Sequence, residues 1–134
     1  MPEVSTYDPK KVTVSVGGRV ITGFAADGVV TLTHNEDAVT PSVGVKGDVA
    51  YSENANNSGN AALPLMSTSS SLAYLREICA KRRPVRFSVS DVNDADAIQV
   101  SEENCRILKM PDTPRSKDPT TVTVNVYIPD LNYR

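Results

Sequence analysis

Few side chains in this sequence could do chemistry, and they are scattered. One histidine, His34, stands two residues before Glu36 and Asp37. A Ser-His-Asp relay also needs a nucleophile in a recognisable setting, and none of the serines has one. His34 therefore reads as a solvated residue at a strand end. Glu36–Asp37 and Glu102–Glu103 resemble acid–base pairs only on paper, because adjacent residues on an extended chain point to opposite faces. Asp91, Asp94 and Asp96 imitate a calcium loop but lack its central glycine and its closing bidentate glutamate. Gly17-Gly18 lacks the further glycines and the following helix of a phosphate loop. Cys79 and Cys105 are flanked by apolar residues, and one pair is too few for a disulfide framework, so two buried reduced thiols are expected. No catalytic, cofactor-binding or metal-ligating residue is expected.

The charges are more informative. Lys81, Arg82, Arg83 and Arg86 form the one basic cluster. It has no interleaved aromatics, so it makes a poor single-strand nucleic-acid platform. A helix end, or a salt-bridge partner for another subunit, fits it better. Lys and Arg number 14 against 16 Asp and Glu, and a net charge of −2 argues against a surface built to neutralise many phosphates. The signs are segregated: between His34 and Asn60, Glu36, Asp37, Asp48 and Glu53 outweigh Lys46 for a net of −3. Between Arg76 and Arg86, Arg76, Lys81, Arg82, Arg83 and Arg86 outweigh Glu77 for a net of +4. Such polarity suits head-to-tail contacts between identical copies.

The elements that position these residues are mostly strands. Val12, Val14 and Val16 share one face, Gly17-Gly18 makes a two-residue hairpin turn, and the chain returns through Arg19 to Phe24. Asp27-Gly28 marks a turn before a strand over 29–33. From His34 to Gly47 there is no clean period, and a loop of that length is expected to have a job. Strands resume at Asp48–Glu53 and Asn60–Leu65, with Asn54–Gly59 as the turn between them. Pro64 suggests a sheet edge or a strand end. The hydroxyl residues from Ser67 to Ser71 offer N-caps to a helix over Thr68–Arg83, in which Leu72, Leu75, Ile78 and Cys79 form an apolar stripe that should pack on the sheet, and Pro84 stops it. Val85, Phe87 and Val89 alternate in a further strand. Ile98 and Val100 lead to a polar turn at Ser101–Asn104 and then to a strand from Cys105 to Met110. Pro111 to Pro119 reads as an exposed loop, and Thr121 to Ile128 as the clearest strand of all.

The 134 residues fit a single domain, and aromatics at 5% with no Trp demand an aliphatic core. No signal peptide or lipid anchor is evident, and no apolar run approaches the roughly 20 residues of a membrane span. The expected place of synthesis and use is the cytoplasm, or release from it by lysis.

The order of features carries a resemblance. Tyr7-Asp8-Pro9-Lys10 precedes a valine strand and a Gly-Gly hairpin. Asn35-Glu36-Asp37 and Gly44-Val45-Lys46-Gly47-Asp48 follow, then Asn57-Ser58-Gly59, a strand, Thr68-Ser69-Ser70 and the single helix. From Tyr7 to Ile128 this resembles the tail tube proteins of contractile-tailed bacteriophages, whose architecture pyocin and type VI secretion tubes share. The resemblance implies a mainly β fold, a β-sandwich or partial barrel with one flanking α-helix. It implies six copies per ring, inner sheets joined into one barrel, and rings stacked as a hollow tube inside a sheath, with DNA passing through the lumen without specific binding. Partners would be further copies, the tail sheath protein, and baseplate and tail terminator proteins, in a virion assembled in the host cytoplasm, with no membrane. The residues leave open whether the chain is the main tube subunit or a baseplate or terminator relative. A decoration protein, a monomeric small-ligand-binding β-barrel and, third, an enzyme are the alternatives.

Under that resemblance, residues 1–10 form an N-terminal arm. The 34–47 loop, with Glu36, Asp37, Val39, Val43 and Lys46, reaches a neighbouring subunit. The Asp48–Leu65 hairpin carries no Lys or Arg, so Asp48, Ser52, Asn54 and Asn60 are candidates to line the lumen. The outer face of the helix, with Arg76, Arg82 and Arg83, turns toward sheath or subunit.

Overall fold

The computed structural model describes residues 9–26, 28–93, 99–110 and 120–132. After a short 3-10 turn, Pro9–Lys11, strand β1 (Val12–Val16) turns through Gly17 and Gly18 into β2 (Arg19–Val20). Both glycines have positive φ, 61° and 87°, as the tight hairpin requires. With β7 (Val85–Asp91) and β8 (Gln99–Cys105) these strands form an antiparallel sheet in the order β2-β1-β7-β8. A second sheet has the order β3-β6-β9, from Thr31–His34, Gly59–Met66 and Thr121–Ile128. β4 (Val39–Val43) and β5 (Val49–Glu53) pair only with each other. One helix, α1, spans Ser71–Lys81.

The core lies between the two larger sheets. Val14, Val16, Phe87, Val89 and Val100 point inward from one, and Ala61, Leu63, Leu65, Val122, Val124, Val126 and Ile128 from the other; all are buried. Each large aliphatic side chain so placed contributes about 1.5–3 kcal/mol of transfer free energy. The sheets are joined at two corners. Ile21 N–H still donates to Val14 O (2.9 Å), while Ala25 N–H and Met66 N–H bond Pro64 O and Gly23 O (both 2.8 Å), so the segment after β2 crosses from one sheet to the other. At the opposite corner Arg106 and Tyr127 exchange both backbone bonds, at 3.0 and 2.7 Å. The result is the mainly β sandwich closing toward a barrel, with one flanking helix, that the sequence led us to expect.

The helix does not cover a sheet face. Leu72, Leu75 and Ile78 are buried, but they plug the end of the sandwich where β1 turns and β7 begins. Tyr74 Oη donates to Val16 O (2.9 Å), and Ser71 Oγ accepts from Thr22 N–H (3.0 Å). The helix is shorter than the expected 68–83. Ser69 ends the preceding turn: its hydroxyl donates to Thr22 O (2.6 Å) and accepts from Ser71 N–H (3.2 Å). Arg82 closes the helix in the left-handed region, with φ 53°.

Several expected elements are corrected. The irregular stretch from His34 to Gly47 contains strand β4, hidden from pattern reading by Pro41 and by its wholly exposed side chains. The Asp48–Leu65 hairpin does not form, because β5 pairs with β4 while β6 lies between β3 and β9. Ala61, Leu63 and Leu65 are fully buried, which places β6 at the centre of its sheet rather than in an outlying hairpin. Pro64 is therefore central, not at an edge. Its carbonyl accepts from Ala25, so its missing N–H faces the short crossing segment and not β9. Ser101–Asn104 is strand, not turn, with the irregularity taken up as a register shift opposite Val85–Phe87. The strand after the second turn is Thr31–His34 rather than 29–33, and β2 ends at Val20, with Phe24 kept as a lone bridge to Leu65. Most of the 1–10 arm, Asp27, Asp94, Asp96, Ile98 and the 111–119 loop lie outside the described residues.

Candidate assembly interface

The β4–β5 hairpin stands away from the core, with all ten strand residues exposed. Its register puts Val39 opposite Glu53, Pro41 opposite Tyr51 and Val43 opposite Val49. Cross-strand partners share a face, so one face is apolar except for Glu53, while Thr40, Ser42, Ala50 and Ser52 make the other small and polar. Val43 and Tyr51 are 70% and 71% exposed, and Val45 at the tip is fully so. A two-stranded ribbon is marginal by itself in water. Side-chain amides brace the base of this one. Asn54 bonds across to Ala38 O and Asp37 O, and Asn56 Nδ2 donates to the Glu36 carboxylate. Asn35 Nδ2 donates to Ser58 Oγ (3.1 Å), and Asn35 Oδ1 accepts from Asn60 Nδ2 (2.8 Å). Asn57 Nδ2 is within 2.8–3.2 Å of Asp130 Oδ1, Leu131 O and Asn132 Oδ1. His34 Nε2 donates to the same Leu131 carbonyl (3.0 Å), so the lone histidine is part of this brace rather than a free loop residue. Gly59 is required at the root: a Cβ there would lie 2.5 Å from Leu131 Cδ2 and 2.7 Å from Thr33 O.

The outward face of the β3-β6-β9 sheet is exposed or half-buried. Thr31, Thr33, Asn60, Ala62, Pro64, Met66, Thr121, Thr123, Asn125 and Tyr127 occupy it, and none carries a charge. In a chain that is 22% charged, this is a segregated surface.

This is the fold of contractile injection machinery. A chain in the structure of the PVC sheath/tube terminator, from an extracellular contractile injection system in the extended state, superposes with a TM-score of 0.62 at 14% identity, covering 100% of this chain and 98% of that one. The tube-terminating cap of the anti-feeding prophage gives 0.60 at 10% identity, covering 99% and 95%. A chain of the PVC sheath–tube complex in the extended state gives 0.53 at 12% identity, covering 92% and 88%. No protein-family model matches the sequence, and no curated protein matches it.

Within this fold the residues singled out from sequence fall in three places. Glu36 and Asp37 sit at the hairpin base, Val39 and Val43 on its apolar face, and Lys46 in the tip, where Gly44 N–H donates to Asp48 O (2.7 Å). The four lumen candidates do not share a face: Asp48 is in the hairpin tip, Ser52 on its polar face, Asn54 at its base and Asn60 on the outer face of β6. Arg76, Arg82 and Arg83 are exposed on and after the helix. The structure extends that basic cluster, since Arg106 Nη2 donates to Arg82 O (3.0 Å) and brings its own charge to the helix end. Arg86 is held on Ser101 Oγ by Nε and Nη2 (3.1 and 2.7 Å). Among the described residues the one ion pair is Lys81–Glu77 (2.9 Å), whose hydrogen bond and charge hold the Glu77 carboxyl below its ordinary value.

Sequence reading missed Tyr51 and Pro41 as partners on one face, and it missed the asparagine brace. The Asn-rich composition of 54–60 was the available signal. Asp91 Oδ1 accepts from Asn93 N–H and Nδ2, a local turn. Among the described residues, no three His, Cys, Asp or Glu side chains gather as metal ligands, and no helix is long and apolar enough to cross a membrane. Cys105 is a core thiol whose pKa is pushed up to about 11 by burial.

Proposed function

We propose that this chain is a structural, ring-forming subunit of a contractile tail-like tube, placed at or near the tube's terminus. The observation that carries the reading is the match, over essentially the full length of both chains, to two tube-terminating components. The body of the fold agrees with it. β3 and β9 are the outer strands of their sheet, β9 being bridged to Arg106 at Tyr127, and the uncovered part of an edge strand is a template for another chain. The helix covers neither sheet, so those edges are closed most economically by like copies in a ring of six. The charge-free face of β3-β6-β9 then lines the channel, where the scarcity of cations lets DNA or other anionic cargo pass without sticking. This wall replaces the Asp48–Leu65 hairpin in that role. The hairpin reaches a neighbouring copy, and the exposed helix face with Arg76, Arg82 and Arg83 turns toward sheath or a neighbouring subunit. The particle would be a virion tail or a related injection device assembled in the host cytoplasm, and the chain acts in it by assembly and not by catalysis.

The second reading, a main tube subunit whose rings stack indefinitely, is favoured by the likeness to the sheath–tube complex. Negative-stain microscopy of concentrated purified protein separates the two. Discrete rings that do not stack support the terminator, and long hollow tubes support the main subunit. A monomer that stays monomeric with preformed tubes present overturns both.

A further inference from the structure

The apolar hairpin face and the arginine-rich corner answer each other chemically. On the hairpin, Val43, Val49 and Tyr51 are half to nearly three-quarters exposed, with Glu53 on the same face and Asp37 at the base. Among the described residues no ion pair involves either acid. At the corner, Arg82, Arg83 and Arg106 lie together at the end of α1, also without ion-pair partners among the described residues, and Leu108, two residues past Arg106, is 68% exposed. A guanidinium is weakly hydrated, lays its plane on an aromatic ring and forks onto a carboxylate. An apolar strip bearing one tyrosine and rimmed by acids is therefore a fitting seat for it, and Tyr and Arg are the side chains that most often dominate binding energy.

Resting on the assembly reading above, we infer that the β4–β5 hairpin of one copy docks on the arginine corner of a second copy. Tyr51 lies against a guanidinium, Val43 and Val49 cover Leu108, and Asp37 and Glu53 pair with Arg82 and Arg83. Each copy carries one hairpin and one corner, so the contact is heterologous and repeats from copy to copy.

The test uses two variants of the full chain. In one, Asp37→Lys and Glu53→Lys reverse the hairpin; in the other, Arg82→Glu and Arg83→Glu reverse the corner. All four positions are exposed, so melting temperatures should match the parent and show that both variants fold. Each variant alone should need about a tenfold or greater rise in concentration to associate, read by sedimentation velocity. An equimolar mixture should associate at the parental concentration, because each reversed hairpin now meets a reversed corner. Tyr51→Ala should weaken association with no change in melting temperature. If both variants assemble as the parent does, or the mixture stays dissociated, the docking is wrong while rings of the parent still uphold the assembly reading. A parent chain that never associates, even beside preformed tubes, removes both.

Discussion

Strand β9 buries every second side chain, whereas β4 and β5 bury none, yet all three set apolar residues at alternate positions. Alternation dictates a strand; it does not say what lies beneath. In β9 the valines meet Ala61, Leu63 and Leu65 side by side and the opposite sheet face on. In the hairpin the same kind of strip is left exposed among the described residues, and polar side chains at the base hold its shape. A region that is folded but unburied, with an aromatic left in solvent, is the surface that the proposed contact with a second copy would cover.

The sharpest way to break this comparison is to put one charge in each region. Leu63→Asp, at 0% exposure, should abolish folding by burying an unpaired carboxylate, a loss above about 4 kcal/mol. Tyr51→Asp should leave the circular-dichroism melt unchanged. A similar loss in both would mean that the hairpin is part of the core. Gly59→Ala tests the hinge between the regions. Its new methyl meets Leu131 and the Thr33 carbonyl, and chemical denaturation should show a loss of about 2–3 kcal/mol.

The thiols sharpen the comparison further. The fold raises the Cys105 pKa from the ordinary 9.0 to about 11 and so favours its protonated form. Its contribution to stability is therefore complete below pH 9 and lost as pH climbs through about 11, an alkaline fall of about 3 kcal/mol at most that Cys105→Ala should flatten. A thiol placed on the hairpin by Ser52→Cys should react with iodoacetamide at the rate of a free thiol, while Cys105 reacts only as the body unfolds. The smallest effect belongs to the brace. Asn57→Ala removes an amide within reach of three acceptors and should cost about 1 kcal/mol, seen as faster amide exchange in β4 and β5 with β9 unchanged.

How much of this was legible in the sequence depends on where a residue's partner sits. Val12–Val16, Val85–Asp91 and Thr121–Ile128 were readable because half their side chains are buried and the pattern is two-fold. The Gly17-Gly18 turn was readable because few other residues take both conformations. β4 was not, since Pro41 looks like a break and an exposed face has no apolar consistency to detect. The pairing of β5 was misread because an Asn- and Gly-rich link looks like a reversal, whereas Asn54, Asn56 and Asn57 use their amides to carry the chain from one sheet to another. The apolar side chains of the helix were readable, but their seat at the end of the sandwich was not, because periodicity names a buried face without naming its cover. The segregation of charge was visible from composition, and Arg106 joined it only through the fold.

The clasp of Asn57 on Asp130, Leu131 and Asn132 has a mechanical meaning. Leu131 is also the side chain that fills the space beside Gly59, and its carbonyl holds the His34 ring. The hold on the projecting arm is therefore shared between the amides at its own base and three residues that come after the last strand. Because Leu131 is also a buried core side chain, the segment after the last strand ties the root of the arm mechanically to the body of the sandwich.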